Sequence, residues 1–296
     1  MIMVHLALYA TIAGLLLGIY FALLGLSVTL IFGVMRIVNL THGALVVFGG
    51  YMAMVLLDRL QINPLVGMPL VFIAFVILGL ILYYPIVVPI SRSYDPEFIS
   101  LVVFYGVMEV LDSIGRLAFG ATHYSLKREI ITDAVLPVWG MPLPVLWLYV
   151  GGISLAIILL FFVYLYKSET GYATRAIMSN RDEARSVGIN VERISALNFG
   201  IGIGLAAIPG CLLSYIYGPI SVDSSLTLTI IAFVVVIIGT LGSPLGVLLG
   251  GLISGVALGV TQVFAPSFAS VVGDALLLIV LLIRPQGLFG RLQRNA

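Results

Sequence analysis

Charge is the scarcest property of this sequence. Asp, Glu, Lys and Arg together make up 9% of its 296 residues, where an ordinary soluble domain carries about 25%. The formal net charge is +1, so no basic surface points to nucleic acid. The only lysines are Lys127 and Lys167, preceded by Leu126 and Tyr166. A P-loop needs Gly-Lys-Ser/Thr so that the lysine reaches the phosphates, so this chain cannot bind ATP in that way. Cysteine is nearly absent. Cys211 is the one cysteine, which excludes an intrachain disulfide, and its place inside an apolar run makes it a small buried hydrophobe. No Cys/His cluster accompanies it, and His42 has no second metal ligand in view. The first Lys or Arg is Arg36, so the basic n-region of a cleavable signal peptide is missing and none is expected.

What replaces charge is hydrocarbon. The apolar fraction is 61% and the mean hydropathy +1.20. A soluble core of this length could not hide that much apolar surface, so the surrounding solvent must be lipid. Glycine, at 32 residues, is also more frequent in membrane helices. Long apolar runs without period-2 alternation favour helices over an outer-membrane barrel. A crossing takes about 20 residues, and candidate spans fall at 6–33, 43–57, 65–89, 98–118, 145–166, 194–216, 227–242, 245–263 and 269–283. The second, seventh and last are short and are expected to tilt, break or re-enter. The expected fold is an all-α polytopic membrane protein of eight to ten segments, nine preferred, forming one domain over 1–296.

Basic residues collect in cytoplasmic loops. Lys167, Arg175, Arg181, Arg185 and Arg193 all fall in 167–193, which is therefore placed inside. Alternation then puts Arg36, Arg92, Arg284, Arg291 and Arg294 inside and only Arg59, Arg116, Lys127 and Arg128 outside. The expected arrangement is N-terminus out and C-terminus in. Small residues recur four apart at Gly251, Gly255 and Gly259, at Gly200 and Gly204, and at Gly202 and Ala206. They allow close helix approach, either within the chain or across a dimer face.

Three stretches carry chemistry. In 167–193, Asn180 followed by Arg181, Asp182, Glu183, Ala184 and Arg185 reads as a short capped helix, which Gly188 is placed to end. It is either a docking element for a soluble partner or a solvated connector. In GVMRIVNLTHGALVVFGGY, residues 33–51, four polar groups interrupt an apolar chain: Arg36, Asn39, Thr41 and His42. One reading is a cytoplasmic turn, with Arg36 as an anchor and Asn39 and Thr41 capping the next helix. The other is a discontinuous helix with polar groups lining a cavity, since irregular backbone at membrane depth needs protein or water around it. Gly43, Ala44, Gly49 and Gly50 would permit close packing there. In the fourth span, Glu109, Asp112 and Arg116 share one helix face. Asp274, ten residues before Arg284, is also expected to lie deep. Intramembrane charges cost roughly 2.5–3.5 kcal/mol each and by default mark function. The mundane account is an Asp112–Arg116 pair, with the deeper acids protonated or paired to neighbours.

The run GYATRAIMSNRDEARSVGINVERISALNFGIGIGLAAIPG resembles the cytoplasmic loop and following span of permeases from branched-chain amino acid ABC importers. GLSVTLIFGVMRIVNLTHGALVVFGGYMA resembles that family's N-terminal signature, and GTLGSPLGVLLGGLISG followed by LLIVLLIRPQGLFG its C-terminal pattern. The resemblance implies a permease of a prokaryotic inner membrane, without enzymatic activity or cofactor of its own. Its partners would be a second related permease, two ATPase subunits that bind the ATP, and an external substrate-binding protein. The segment Asp182–Gly188 resembles the family's coupling loop. Glu183 and Ala184 match the Glu-Ala-Ala…Gly motif, Arg185 stands in place of a second alanine, and Gly188 comes one residue early. Asn39, Thr41, His42 and Gly43 would then line or gate the translocation path. The acids Glu109, Asp112 and Asp274 depart from the family's more usual amide or apolar residues. They either form a structural network or tune the path toward a more polar or cationic solute. The alternative from another class is an ion-coupled secondary transporter using the buried carboxylates. An intramembrane enzyme would need clustered acids or a nucleophile with a base, and neither pattern is present.

Overall fold

The computed structural model describes residues 2–120, 122–126, 132 and 134–288. Lys127, Arg128, Arg291 and Arg294 lie outside them. The helices are α1 (Ile2–Met35), α2 (His42–Leu60), α3 (Pro64–Leu82), α4 (Val88–Ser91), α5 (Pro96–Phe119), α6 (Val145–Lys167), α7 (Glu169–Ser179), α8 (Arg181–Ser186), α9 (Val191–Ile216), α10 (Ser225–Gly239), α11 (Pro244–Phe264) and α12 (Val272–Ile283). Among the described residues, eight helical segments are long and apolar enough to cross a membrane, and α12 adds a shorter apolar helix. The chain is a polytopic all-α membrane protein, and every expected span has its helix. One element was not anticipated. Strands β1 (Val135–Val138) and β2 (Met141–Pro144) form a small antiparallel hairpin before α6.

The helix starts follow from local chemistry. Asn63, Asp95 and Ser243 each precede a proline at the first helical position. Their side chains accept from the backbone amides of Leu65 at 2.9 Å, Phe98 at 3.1 Å and Gly246 at 3.1 Å. Proline has no amide to satisfy there and its φ suits the first turn. Further along the third span, Pro85 sits within a π-helical turn, Tyr83–Val87, that joins α3 to α4. Proline removes a helical hydrogen bond, and one wide turn accommodates the loss.

Helices α1 and α9 form the buried centre, with 78% and 89% of their best spanning windows inside the protein, whereas α3 and α5 reach only 28%. The outer helices turn apolar stripes to lipid, as Leu70, Ile73, Ile77 and Ile81 do on α3. The glycine stripes are spent on packing inside the chain. A methyl on Gly14 would come 2.7 Å from the Val256 Cα, and one on Gly259 would come 2.7 Å from the Gly14 Cα. Gly18 and Gly251 meet in the same seam, so α1 and α11 touch backbone to backbone. Gly200 and Gly204 face Val76 and Phe72 of α3, and Gly202 faces Ile31 of α1.

Candidate functional site

The segment between α1 and α2 is no surface turn. After Arg36, which turns the chain at φ 54°, the backbone folds back along α1. His42 Nδ1 and Ser27 Oγ share a 3.0 Å hydrogen bond. Ser27 lies roughly 12 Å back from the Met35 end of α1, at about 1.5 Å per residue. Helix α2 therefore begins well inside the bundle. Ile37, Asn39, Thr41 and His42 are all buried there. The irregular backbone is satisfied from several helices. The Val38 amide donates to Ser100 Oγ of α5 at 3.0 Å. The Gly43 amide donates to Thr229 Oγ1 of α10 at 2.8 Å. Thr229 Oγ1 in turn lies 3.2 Å from the Leu40 carbonyl and 3.0 Å from that of Ser225. Such pairing is what irregular backbone requires in hydrocarbon. Asn39 and Thr41 do not cap α2 as the turn reading expects. Asn39 Oδ1 instead accepts from the Thr41 amide at 3.0 Å and from the Thr41 hydroxyl, and Thr41 makes no side-chain cap bond. Asn39 Nδ2 has no hydrogen-bond partner among the described residues.

Gly43 permits this arrangement. A methyl there would overlap the Ser225 carbonyl oxygen and lie 2.6 Å from Thr229 Oγ1. The N-terminal turns of α2 and α10 thus lie side by side inside the bundle. Asp112 of α5 joins them, with Oδ1 accepting from Ser225 Oγ at 2.8 Å. Asp112 is buried, and a carboxylate at the first residue of α10 meets the positive end of that helix.

The expected Asp112–Arg116 pair does not form. Arg116 Nη2 lies 3.2 Å from Asp223 Oδ1 instead, with both side chains more than half exposed. Arg116 is one turn beyond Asp112, and the 3-10 turn Val222–Ser224 brings Asp223 alongside it. Glu109 is on the exposed side of α5, with Ser113 bonded to its carbonyl at 2.8 Å. Asp274 is not deep. It occupies the first turn of α12 and is exposed, because α12 starts only two residues before it, at Val272.

At the Met35 end of α1, α7 and α8 form an elbow. Asn180 caps α8, accepting from the Asp182 and Glu183 amides at 3.1 and 3.3 Å. Its Nδ2 donates to Glu183 Oε1 at 2.7 Å, a side-chain bond that ties the cap to the third residue of the helix. Gly188, at φ 88°, ends the helix. Arg181, Asp182, Glu183 and Arg185 remain on the accessible side while Ala184 is buried. Sequence reasoning missed the residues that hold this elbow. Asn198 of α9 is fully buried and donates to Thr174 Oγ1 of α7 at 2.8 Å. It also accepts from the Tyr164 hydroxyl of α6 at 3.2 Å. The available signal was one amide within the apolar stretch of the sixth span. A cavity of about 450 Å³ is lined by Gly33–Arg36 of α1 and its exit and by Ile177–Asp182 of the elbow.

A multi-helix bundle with a buried polar junction and a capped charged elbow outside its spans defines the class as a polytopic membrane protein. The family model for the permease component of branched-chain amino acid transport systems matches residues 10–283, and the chain belongs to that family. It is 28% identical to the high-affinity branched-chain amino acid transport system permease protein BraD of Pseudomonas aeruginosa, over 94% of each chain. It is 26% identical to LivH of Escherichia coli, a permease of the same description, again over 94% of each. A probable permease of this kind from Methanocaldococcus jannaschii is 27% identical over 90% of this chain and 88% of its own. No solved structure matches the chain.

Proposed function

We propose that this chain is the permease subunit of an ATP-driven importer for branched-chain or related small amino acids. A binding protein delivers the solute outside, and ATPase subunits rock the bundle between outward- and inward-open states. A second related permease completes the pathway. Residues 181–188 are the ATPase-docking element, which places the elbow in the cytoplasm, the N-terminus outside and the C-terminus inside. The observation that carries this reading is the elbow itself. A short capped helix of charged residues, α8, is presented outside the spans on α7, which Asn198 of α9 ties through Thr174 to the bundle and to Tyr164 of α6. In this reading the junction of Asn39, Thr41, His42, Gly43 and Asp112 is the internal gate, and Glu109 faces the pathway or the second permease. A mid-span carboxylate exposed to lipid would cost roughly 2.5–3.5 kcal/mol. The ion-coupled alternative draws little support, because of the three acids it invokes only Asp112 is buried.

The test is co-purification from mild detergent followed by mass spectrometry. ATPase subunits should accompany the wild type and be lost from Glu183→Ala and Gly188→Pro. Their absence from the wild type, under conditions that keep a known importer intact, would overturn the reading.

A further inference from the structure

A cavity of about 810 Å³ opens between α1, α10, α11 and the chain leading into α12, away from the elbow. Its walls are apolar, with Leu17 and Phe21 from α1, Ile231 and Val234 from α10, and Leu258 from α11. Its rim is different, carrying Tyr9, Trp147, Tyr217, Gln262 and Asp274. These belong to the start of α1, the start of α6, the end of α9, the end of α11 and the start of α12, all at the end of the bundle opposite the elbow. Aromatic residues with one polar end occupy this level in membrane proteins, where headgroups meet the acyl chains.

The groove is open because α12 is short. Its 12 residues span about 18 Å of a hydrocarbon layer roughly 30 Å thick, and the non-helical stretch just before it, with Ala269 and Ser270, lines one side of the groove. At about 30 Å³ per molecule the space has room for tens of waters. A buried water needs two to four polar partners, and apart from the rim residues the lining offers only the hydroxyls of Thr227, Ser254 and Ser270 among many apolar side chains. A flexible apolar chain drawn from the surrounding bilayer fits these walls better. At the rim, Asp274 is an exposed carboxylate with no ion-pair partner among the described residues, and it complements a cationic group.

We propose that this groove is a phospholipid site, holding an acyl chain between α1, α10 and α11 with an amine headgroup at Asp274. The protein, with the subunits that accompany it, would be extracted into mild detergent from membranes containing phosphatidylethanolamine and phosphatidylglycerol. Native mass spectrometry should find one retained phospholipid per chain, enriched in phosphatidylethanolamine over the membrane. Leu258→Trp and Ile231→Trp, which fill the groove, should cut retention at least tenfold without changing elution or thermal transition. Asp274→Asn should keep the lipid and lose the headgroup preference. If either tryptophan variant misfolds, the surface substitution Asp274→Asn decides alone. A lipid-free wild type, unchanged retention in folded tryptophan variants, or an unchanged headgroup ratio in Asp274→Asn overturns the proposal. So does displacement of the lipid by free leucine, which would make the groove a solute site.

Discussion

The Met178 side chain lies where a side chain on Gly33 would have to begin. A Cβ built on Gly33 overlaps the Met178 Cε and comes 3.3 Å from the Gly242 Cα. The tip of the elbow therefore bears on the last turn of α1, just before Arg36 and the chain that folds back to His42. Motion of the elbow has a direct mechanical route to the buried junction. Gly33→Val should reduce transport at least tenfold while ATPase subunits still co-purify, and adding Met178→Ala should restore most of it. Parallel assays of uptake and ATP hydrolysis in proteoliposomes check this. A single variant with normal uptake per ATP would remove the contact from the coupling route.

Gly43 is a second position without slack. Its missing side chain lets the Ser225 carbonyl approach α2. Overpacking at a closely packed site costs about 1–3 kcal/mol. Gly43→Ala should lower the thermal transition in detergent by several degrees and weaken transport, whereas Gly106→Ala, on α5 with open space around it, should change neither.

Asn198 ties the elbow to the bundle through Thr174 and Tyr164. Leaving a buried polar group without its partner costs about 1–3 kcal/mol. Asn198→Leu should destabilise the protein by that order in equilibrium unfolding and raise ATP hydrolysed per solute moved. Full stability with normal stoichiometry would count against the anchor.

The acids of α5 should separate by burial. Asp112→Asn keeps an acceptor for Ser225 Oγ and should be tolerated, while Asp112→Leu removes it and should lower stability by about 1–3 kcal/mol. Glu109, exposed and bound by no buried network, should behave differently. Glu109→Gln should leave thermal stability unchanged and alter the selectivity of reconstituted transport between neutral and cationic amino acids. Unchanged rates and selectivity would remove Glu109 from the pathway.

The spans and the elbow were legible along the chain because both rest on local physics. A run of apolar residues about as long as the bilayer is thick needs no information from elsewhere, and proline after Asn63, Asp95 or Ser243 starts a helix by its own geometry. The same holds for Asn180 and Gly188, whose capping roles need only their own neighbours. The acids were less legible. Spacing on α5 put Arg116 within reach of Asp112, but it carried no word of Asp223, more than a hundred residues away, which takes the arginine instead.

Composition and order alone thus settled that this is a lipid-embedded helical bundle with one charged, capped element outside it, because hydrophobic length and capping act over a few residues. Tertiary structure decided the fate of each polar group within the bundle. Ser27 meets His42, Gly43 meets Thr229, Asp112 meets Ser225 and Asn198 meets Thr174. In hydrocarbon a buried polar group must find a partner wherever the fold brings one, and closeness in space between distant segments is a property of helix packing, which no local stretch encodes.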